Sequence, residues 1–252
     1  MSTSSAAWPY PLWVAHRGAG KLAPENTLAA FRLGASYGYR AFECDVKLSA
    51  DGVPFLLHDA TLARTTSGDG DAGALDWPAL ARLDAGTWHS RTFAGEPPPS
   101  LTAMAAFCRG NGHHLNIEIK PSPGREAETG ATVAIEAARL WAGAAVPPLL
   151  SSFQPESLAT AQAAMPSLPR ALLLDALPNG WFEAAQKLGC VAVVTHYALM
   201  DAALIARLHA AGMRALAYTV NDPAEVQRLC GIGIDSIITD AVDRFSPASG
   251  GV

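Results

Sequence analysis

Glu43-Cys44-Asp45-Val46-Lys47-Leu48-Ser49-Ala50-Asp51-Gly52-Val53-Pro54-Phe55-Leu56-Leu57-His58-Asp59 is the stretch on which the reading of this chain turns. It reads as a strand, a tight Asp51-Gly52 turn, and a second strand that ends in His58-Asp59. Side chains alternate between faces along a strand, so Glu43 and Asp45 share one face while Phe42, Cys44 and Val46 share the other. An apolar face packs against a core. Two carboxylates on the opposite face are costly to bury unless something cationic sits between them. The return arm, Val53 to His58, follows too closely for a parallel crossover and is expected to run back antiparallel.

Working outward, Leu12-Trp13-Val14-Ala15 is a short apolar strand that runs directly into His16-Arg17-Gly18. Pro24-Glu25-Asn26-Thr27 then opens a helix that Gly38 ends. Beyond the hairpin the pattern changes. The run from Asp59 to Ser100 holds five glycines and four prolines without sustained periodicity. It reads as the loop-rich part of an insertion at about 50–100, with Trp77, Trp88 and Phe93 as its expected small core. Regular alternation then resumes to the end of the chain. Leaving the return arm out, strands fall near residues 13, 43, 117, 150, 172, 193, 217 and 238, seven of them followed by a helix. Eight such units in 252 residues predict a (β/α)₈ TIM barrel, read as one domain over 1–252. A doubly wound open sheet fits less well, because no glycine-rich phosphate loop follows the first strand.

Composition narrows the function. Half the residues are hydrophobic and 16% are charged, as in a globular chain. A net charge of -5 without any Lys/Arg run argues against a nucleic-acid partner. Cys44, Cys108, Cys190 and Cys230 are scattered without metal-site spacing, which suits buried thiols in a reducing compartment. The N-terminus lacks a signal-peptide pattern and no stretch approaches the ~20 apolar residues of a membrane span, so a cytoplasmic protein without stable membrane insertion is expected.

In such barrels the chemistry lies at the C-terminal ends of the strands. His16-Arg17 ends the first strand, Glu43 and Asp45 lie toward the end of the second, and Glu118 and Lys120 end the third on one face. Oxygen-only ligands favour a hard divalent cation, Mg²⁺ or Ca²⁺, over zinc. Arg17 and Lys120 beside such an ion suggest a phosphate. His16 and His58 can supply a proton-transfer pair. His196, ending the strand Val191 to Thr195, is assigned no role; Phe153, after Ser151-Ser152, is a candidate pocket wall.

These residues carry a resemblance. His16-Arg17-Gly18, Pro24-Glu25-Asn26-Thr27, Glu43-x-Asp45, Asp51-Gly52-Val53-Pro54 through His58-Asp59, Leu62-x-Arg64-Thr65-Thr66 and Asn116-Ile117-Glu118-Ile119-Lys120 resemble the glycerophosphodiester phosphodiesterase family. Ser151-Ser152-Phe153, Thr219-Val220-Asn221 and Asp235-Ser236-Ile237-Ile238-Thr239-Asp240 extend the likeness from residue 13 to 240. The resemblance implies a metal-dependent barrel that cleaves small-molecule glycerophosphodiesters to an alcohol and glycerol 3-phosphate. It implies His16 and His58 as the acid/base pair, Glu43, Asp45 and Glu118 as metal ligands, and Arg17 and Lys120 as phosphate contacts. Where many members have tryptophan before Thr-Val-Asn, this chain has Tyr218, a candidate contact to the substrate's glycerol end. Two alternatives share the fold: a phosphodiester-binding barrel without turnover, and a phospholipase-D-like lyase. Retention of both histidines speaks against the first; the lack of secretion and disulfide signals speaks against the second.

Overall fold

A computed structural model describes residues 8–245 and residue 247. Strand β2 (Ala41–Leu48) is buried along its whole length, charged residues included. A strand buried on both faces belongs in the middle of a sheet with helices outside it. Around it stand β1 (Trp13–Ala15), β4 (His114–Ile119), β5 (Leu149–Ser152), β6 (Arg170–Leu174), β7 (Ala192–His196), β8 (Arg214–Tyr218) and β9 (Ser236–Thr239). These run in the order β1-β9-β8-β7-β6-β5-β4-β2, and the pairing of Ala15 with Phe42 closes the ring. Eight parallel strands closed on themselves and wrapped by helices make a (β/α)₈ barrel. The return arm is β3 (Pro54–Leu56), antiparallel to β2 with Val46 opposite Leu56.

The outer helices are α1 (Leu28–Ser36), α3 (Leu101–Gly110), α4 (Glu126–Leu140), α5 (Pro155–Ala164), α6 (Trp181–Lys187), α7 (Ala202–Ala210) and α8 (Pro223–Gly231), with the single turn α2 (Trp77–Leu80) in the insertion. Their starts follow from capping chemistry. Thr27, Asp201 and Asp222 accept hydrogen bonds from the amides of Ala30, Leu204 and Ala224, at 3.2, 2.7 and 2.8 Å. Each such cap typically contributes about 1 kcal/mol. None of the helices in the described residues is long and apolar enough to cross a membrane.

The pleat divides the core into two layers. Phe42, Cys44, Val46, Ile117 and Ile119 point outward against the helices. Val14, Ala41, Leu149, Ala171, Leu173, Val194, Leu216 and Ile238 fill the barrel interior. The insertion has its own small core of Phe55, Leu57, Leu62, Ala72 and Leu80, with Leu75, Trp77 and Leu83 against it. The expected aromatic core is therefore right only for Trp77. Trp88 is 40% exposed, its indole N–H satisfied by the Ala85 carbonyl at 2.8 Å, and Phe93 packs on the main core instead. Aliphatic side chains fill so small a volume without having to satisfy an indole N–H.

Candidate active site

The strand register sets the heights of the charged groups. Asp45 lies beside Glu118 on the neighbouring strand, with Glu43 beside Asn116 one step below. The Lys120 amide, just past β4, donates to the Val46 carbonyl at 2.9 Å and carries the lysine to the rim. At the end of β1, Arg17 adopts φ 51, in the left-handed region that costs an ordinary L-residue roughly 1–2 kcal/mol. That conformation aims the Arg17 amide at Glu43 Oε2, 3.1 Å away. Close approach explains two neighbouring glycines. A Cβ at Gly18 would meet the Phe31 ring at 2.6 Å, and one at Gly20 would run into the Asp240 backbone.

One oxygen from each of Glu43, Asp45 and Glu118 lies within 4.8 Å of the others. All three residues are buried. Glu43 Oε1 and Asp45 Oδ1 are buried with no hydrogen-bond partner. Arg17 Nε approaches Asp45 Oδ2 to 3.2 Å, while Lys120 Nζ lies 2.9 Å from Glu118 Oε1 and 3.4 Å from Asp45 Oδ1. Asn26 holds Asp45 twice: its amide donates to Oδ2 at 2.8 Å, and its carbonyl accepts from the Asp45 N–H at 3.1 Å. Burial and the neighbouring carboxylates push the Glu43 carboxyl well above the usual range. Glu118 is pushed up to about 7 by burial and then by Asp45. For Asp45, burial acting upward is outweighed by Arg17, Lys120 and His58, so it stays ionised. Three close carboxylates that resist simultaneous ionisation, two with orphaned oxygens, fit a hard divalent cation. The triad can thus hold a metal ion.

The two histidines are each turned by a carboxylate. His16 Nδ1 lies 2.7 Å from Asp240 Oδ1, and its Nε2 is 3.8 Å from Glu43 Oε2. Asp240 is itself held by Asn221, which donates to Oδ2 at 3.1 Å and accepts from the Asp240 N–H at 2.9 Å. His58 Nδ1 lies 2.7 Å from Asp59 Oδ1. Arg64 then grips Asp59 through Nε and Nη2 at 2.6 and 3.0 Å, and Glu25 through Nη1 and Nη2 at 2.9 and 2.8 Å. Glu25 also accepts from Arg17 at 2.9 Å. A continuous ionic chain therefore runs His58–Asp59–Arg64–Glu25–Arg17–Asp45. Burial lowers the proton affinity of His58, partly offset by Asp45.

His16, Arg17, Glu43, His58, Glu118, Lys120 and Tyr218 line one cavity of about 430 Å³ at the barrel mouth, with Asp45 directly behind Arg17 and Lys120. All eight residues singled out in the sequence are thus brought together. Phe153 is a wall, as its place after Ser151-Ser152 suggested, and Lys120 Nζ lies 5.7 Å from the centre of its ring. Several residues escaped the sequence reading. Lys47 shares a face with Glu43 and Asp45, a signal the alternation did offer. It is 1% exposed, donates to the Lys120 carbonyl at 3.0 Å, and is lowered to about 8 by burial. Asn116 faces the cavity with both side-chain amide atoms unpaired. Asp175 also lines the cavity, and Asp240 and Arg64 hold residues they do not adjoin in sequence.

Fold and site together define a barrel enzyme whose cavity suits a metal ion and an anionic substrate. The profile of the glycerophosphoryl diester phosphodiesterase family matches residues 16–244. A glycerophosphodiester phosphodiesterase of Caldanaerobacter subterraneus subsp. tengcongensis is 31% identical over 234 residues, covering 91% of this chain and 93% of the relative. Among solved structures, an Oleispira antarctica phosphodiesterase in complex with the product sn-glycerol-3-phosphate is 33% identical. It superposes with a TM-score of 0.88 over 96% of this chain and 98% of the other. A glycerophosphodiester phosphodiesterase from Agrobacterium tumefaciens str. C58 gives a TM-score of 0.80 at 30% identity, over 94% and 99% of the two chains. The chain belongs to the glycerophosphoryl diester phosphodiesterase family. It is an enzyme of that class, a phosphoric diester hydrolase.

Proposed function

We propose that this chain hydrolyses small-molecule glycerophosphodiesters to an alcohol and sn-glycerol 3-phosphate, with Mg²⁺ or Ca²⁺ held by Glu43, Asp45 and Glu118. The observation that carries this reading is the cluster of three buried carboxylate oxygens within 4.8 Å, flanked by two cations and two carboxylate-bound histidines. A divalent cation there supplies Lewis-acid polarisation of a phosphoryl oxygen. Arg17 and Lys120 hold the phosphodiester and offset charge that builds on its oxygens. With Nδ1 of each histidine bonded to a carboxylate, Nε2 is left to face the substrate. His58, whose neutral form burial favours, accepts the proton of the attacking oxygen. His16 donates a proton to the alcohol oxygen as its bond to phosphorus breaks. Asp59 and Asp240 act as positioning residues, holding the ring orientation and stabilising whichever imidazole carries the extra proton.

Tyr218 is a further substrate contact in this reading, with the whole of 1–252 acting as one catalytic domain and the insertion at about 50–100 delivering His58. The Arg64–Glu25 pair and the bond from the Ala29 amide to Glu96 at 2.9 Å support treating insertion and barrel as one working unit. Free thiols at Cys44, Cys108, Cys190 and Cys230 support a reducing, cytoplasmic setting. The test is release of glycerol 3-phosphate from a panel of glycerophosphodiesters with Mg²⁺, Ca²⁺ or chelator. Turnover that needs a divalent cation is expected; no release from any diester with either ion would overturn the reading.

A further inference from the structure

Lys47 is a buried charged side chain that the reaction scheme leaves unused. It lies on the face of β2 that carries Glu43 and Asp45, two residues beyond Asp45. Its ammonium donates to the Lys120 carbonyl at 3.0 Å and forms no ion pair among the described residues. Burial disfavours that charge, and the fields of Asp45, Glu118 and Asp59 offset only part of the penalty. A buried ammonium held by one neutral oxygen is costly. Capping a carbonyl would not by itself call for a charged group.

Its place in the strand ladder supplies a reason. Pairing of β2 with β4 ends at Val46 and Ile119, and just beyond it the Lys120 amide donates to the Val46 carbonyl at 2.9 Å. From there the two strands part. β2 continues into its hairpin, with Lys47 opposite Phe55 of β3, while β4 gives way to a loop. The Lys47 side chain spans that opening. Lys120 is thus held at its N–H by Val46 and at its C=O by the next residue of β2. From the other side, the Ser152 hydroxyl of β5 donates to the preceding carbonyl, that of Ile119, at 2.6 Å. A backbone braced on both flanks fixes where the Lys120 side chain starts, and its ammonium ends 2.9 Å from Glu118 and 3.4 Å from Asp45. We propose that Lys47 is a positioning residue for Lys120: it braces the exit of β4 so that the Lys120 ammonium is presented to the substrate's phosphate. This rests on the hydrolase reading above and adds to it a residue that acts without touching substrate.

The experiment is a double-mutant cycle on the metal-loaded protein, with Lys47→Met, Lys120→Met and the two combined. Two quantities are read: the Kd of glycerol 3-phosphate by calorimetry, and kcat/KM on the diester of the panel that turns over fastest. An apolar side chain of similar volume commonly replaces a buried charge without loss of stability, and circular dichroism checks the fold. Lys47→Met is expected to weaken both quantities roughly tenfold, the scale of a small displacement of a phosphate contact. In the Lys120→Met background the same change should have almost no further effect, because no ammonium is left to place. Losses that multiply would overturn the assignment, since Lys47 would then act by a separate route or through the fold at large. Unchanged Kd and kcat/KM in Lys47→Met would overturn it too. Should Lys47→Met fail to fold, Lys47→Gln, which keeps a shorter neutral donor, carries the same cycle. Failure of both to fold would make Lys47 a structural residue and end the assignment. Wild type that neither binds glycerol 3-phosphate nor releases it from any diester would instead remove the hydrolase reading, and the positioning role with it.

Discussion

The two histidines reach the same cavity by opposite routes. His16 sits at the end of β1 inside the barrel frame. Its amide is bonded to the Thr239 carbonyl at 2.9 Å, and its orienting partner Asp240 comes from the neighbouring strand, 224 residues away in sequence. His58 sits on an excursion outside the barrel, and its partner is the next residue. A barrel-frame dyad is located by closure of the sheet. The dyad on the excursion hangs from the β2–β3 pairing, with the Leu57 amide bonded to the Asp45 carbonyl at 3.1 Å, and is held further by an ionic clamp, Arg64 binding both Asp59 and Glu25. Salt-bridged side chains with one partner 44% exposed contribute little to global stability. Their value here is orientation: the clamp links His58 to Arg17, the two groups that meet one phosphate in the proposed reaction.

The comparison can be broken most severely by removing what both dyads serve. Chelation should abolish glycerol 3-phosphate release, with recovery on adding Mg²⁺ or Ca²⁺; full turnover by metal-stripped protein would show that the triad is structural. Next come the histidines themselves. His16→Ala and His58→Ala should each lose at least ~10²-fold in kcat with the fold intact by circular dichroism. The double variant should lose much less than the product of the two, because acid and base act as a unit. A variant that kept wild-type kcat would remove its residue from proton transfer.

The clamp gives the sharper distinction. Arg64→Ala should lower kcat by about 10- to 10²-fold, the effect of misplacing a catalytic group by an ångström. Arg64→Lys should recover only part of this, since a single ammonium cannot bridge both carboxylates in the planar fork geometry. Added guanidinium ion should restore some activity to Arg64→Ala and none to His16→Ala. An Arg64→Ala enzyme with normal kcat would mean that the excursion orients His58 without help.

The smallest effect is a pH linkage in the carboxylate triad that both dyads flank. Without metal, the raised Glu118 carboxyl means that the folded state binds more protons than the unfolded one between 4.5 and about 7. Stability of the chelated protein therefore falls as pH rises through that window. Metal binding must displace the same proton, so affinity rises over the same range. The gain in Tm on adding divalent cation should thus be larger at pH 8 than at pH 5, by a few degrees. An equal or reversed gain would place the metal away from Glu118.

Much of this was legible in the sequence because the signals are short-range. Alternation along β2 put Glu43 and Asp45 on one face, Asp51-Gly52 marked the turn, and eight apolar runs separated by helical spacing gave the barrel. The same alternation also puts Lys47 on that face, but it escaped the sequence reading, and its burial became plain only once β3 and the Lys120 carbonyl were found around it. The composition of 59–100 signalled an insertion, but which side chains fill it depended on the shape of the space, and that favoured Leu62 and Leu80 over Trp88.

Sequence alone determined, through periodicity and local turn chemistry, that an acidic strand, a basic rim and two histidines would meet at the mouth of a barrel. Only the tertiary structure decided which carboxylate turns each histidine and which aromatic rings line the cavity. Local conformation is governed by neighbours a few residues apart. The partnership of His16 with Asp240 exists because the last strand closes against the first, and that of Arg64 with Glu25 because the insertion folds back over α1. Contacts between distant segments leave no periodic trace in the chain.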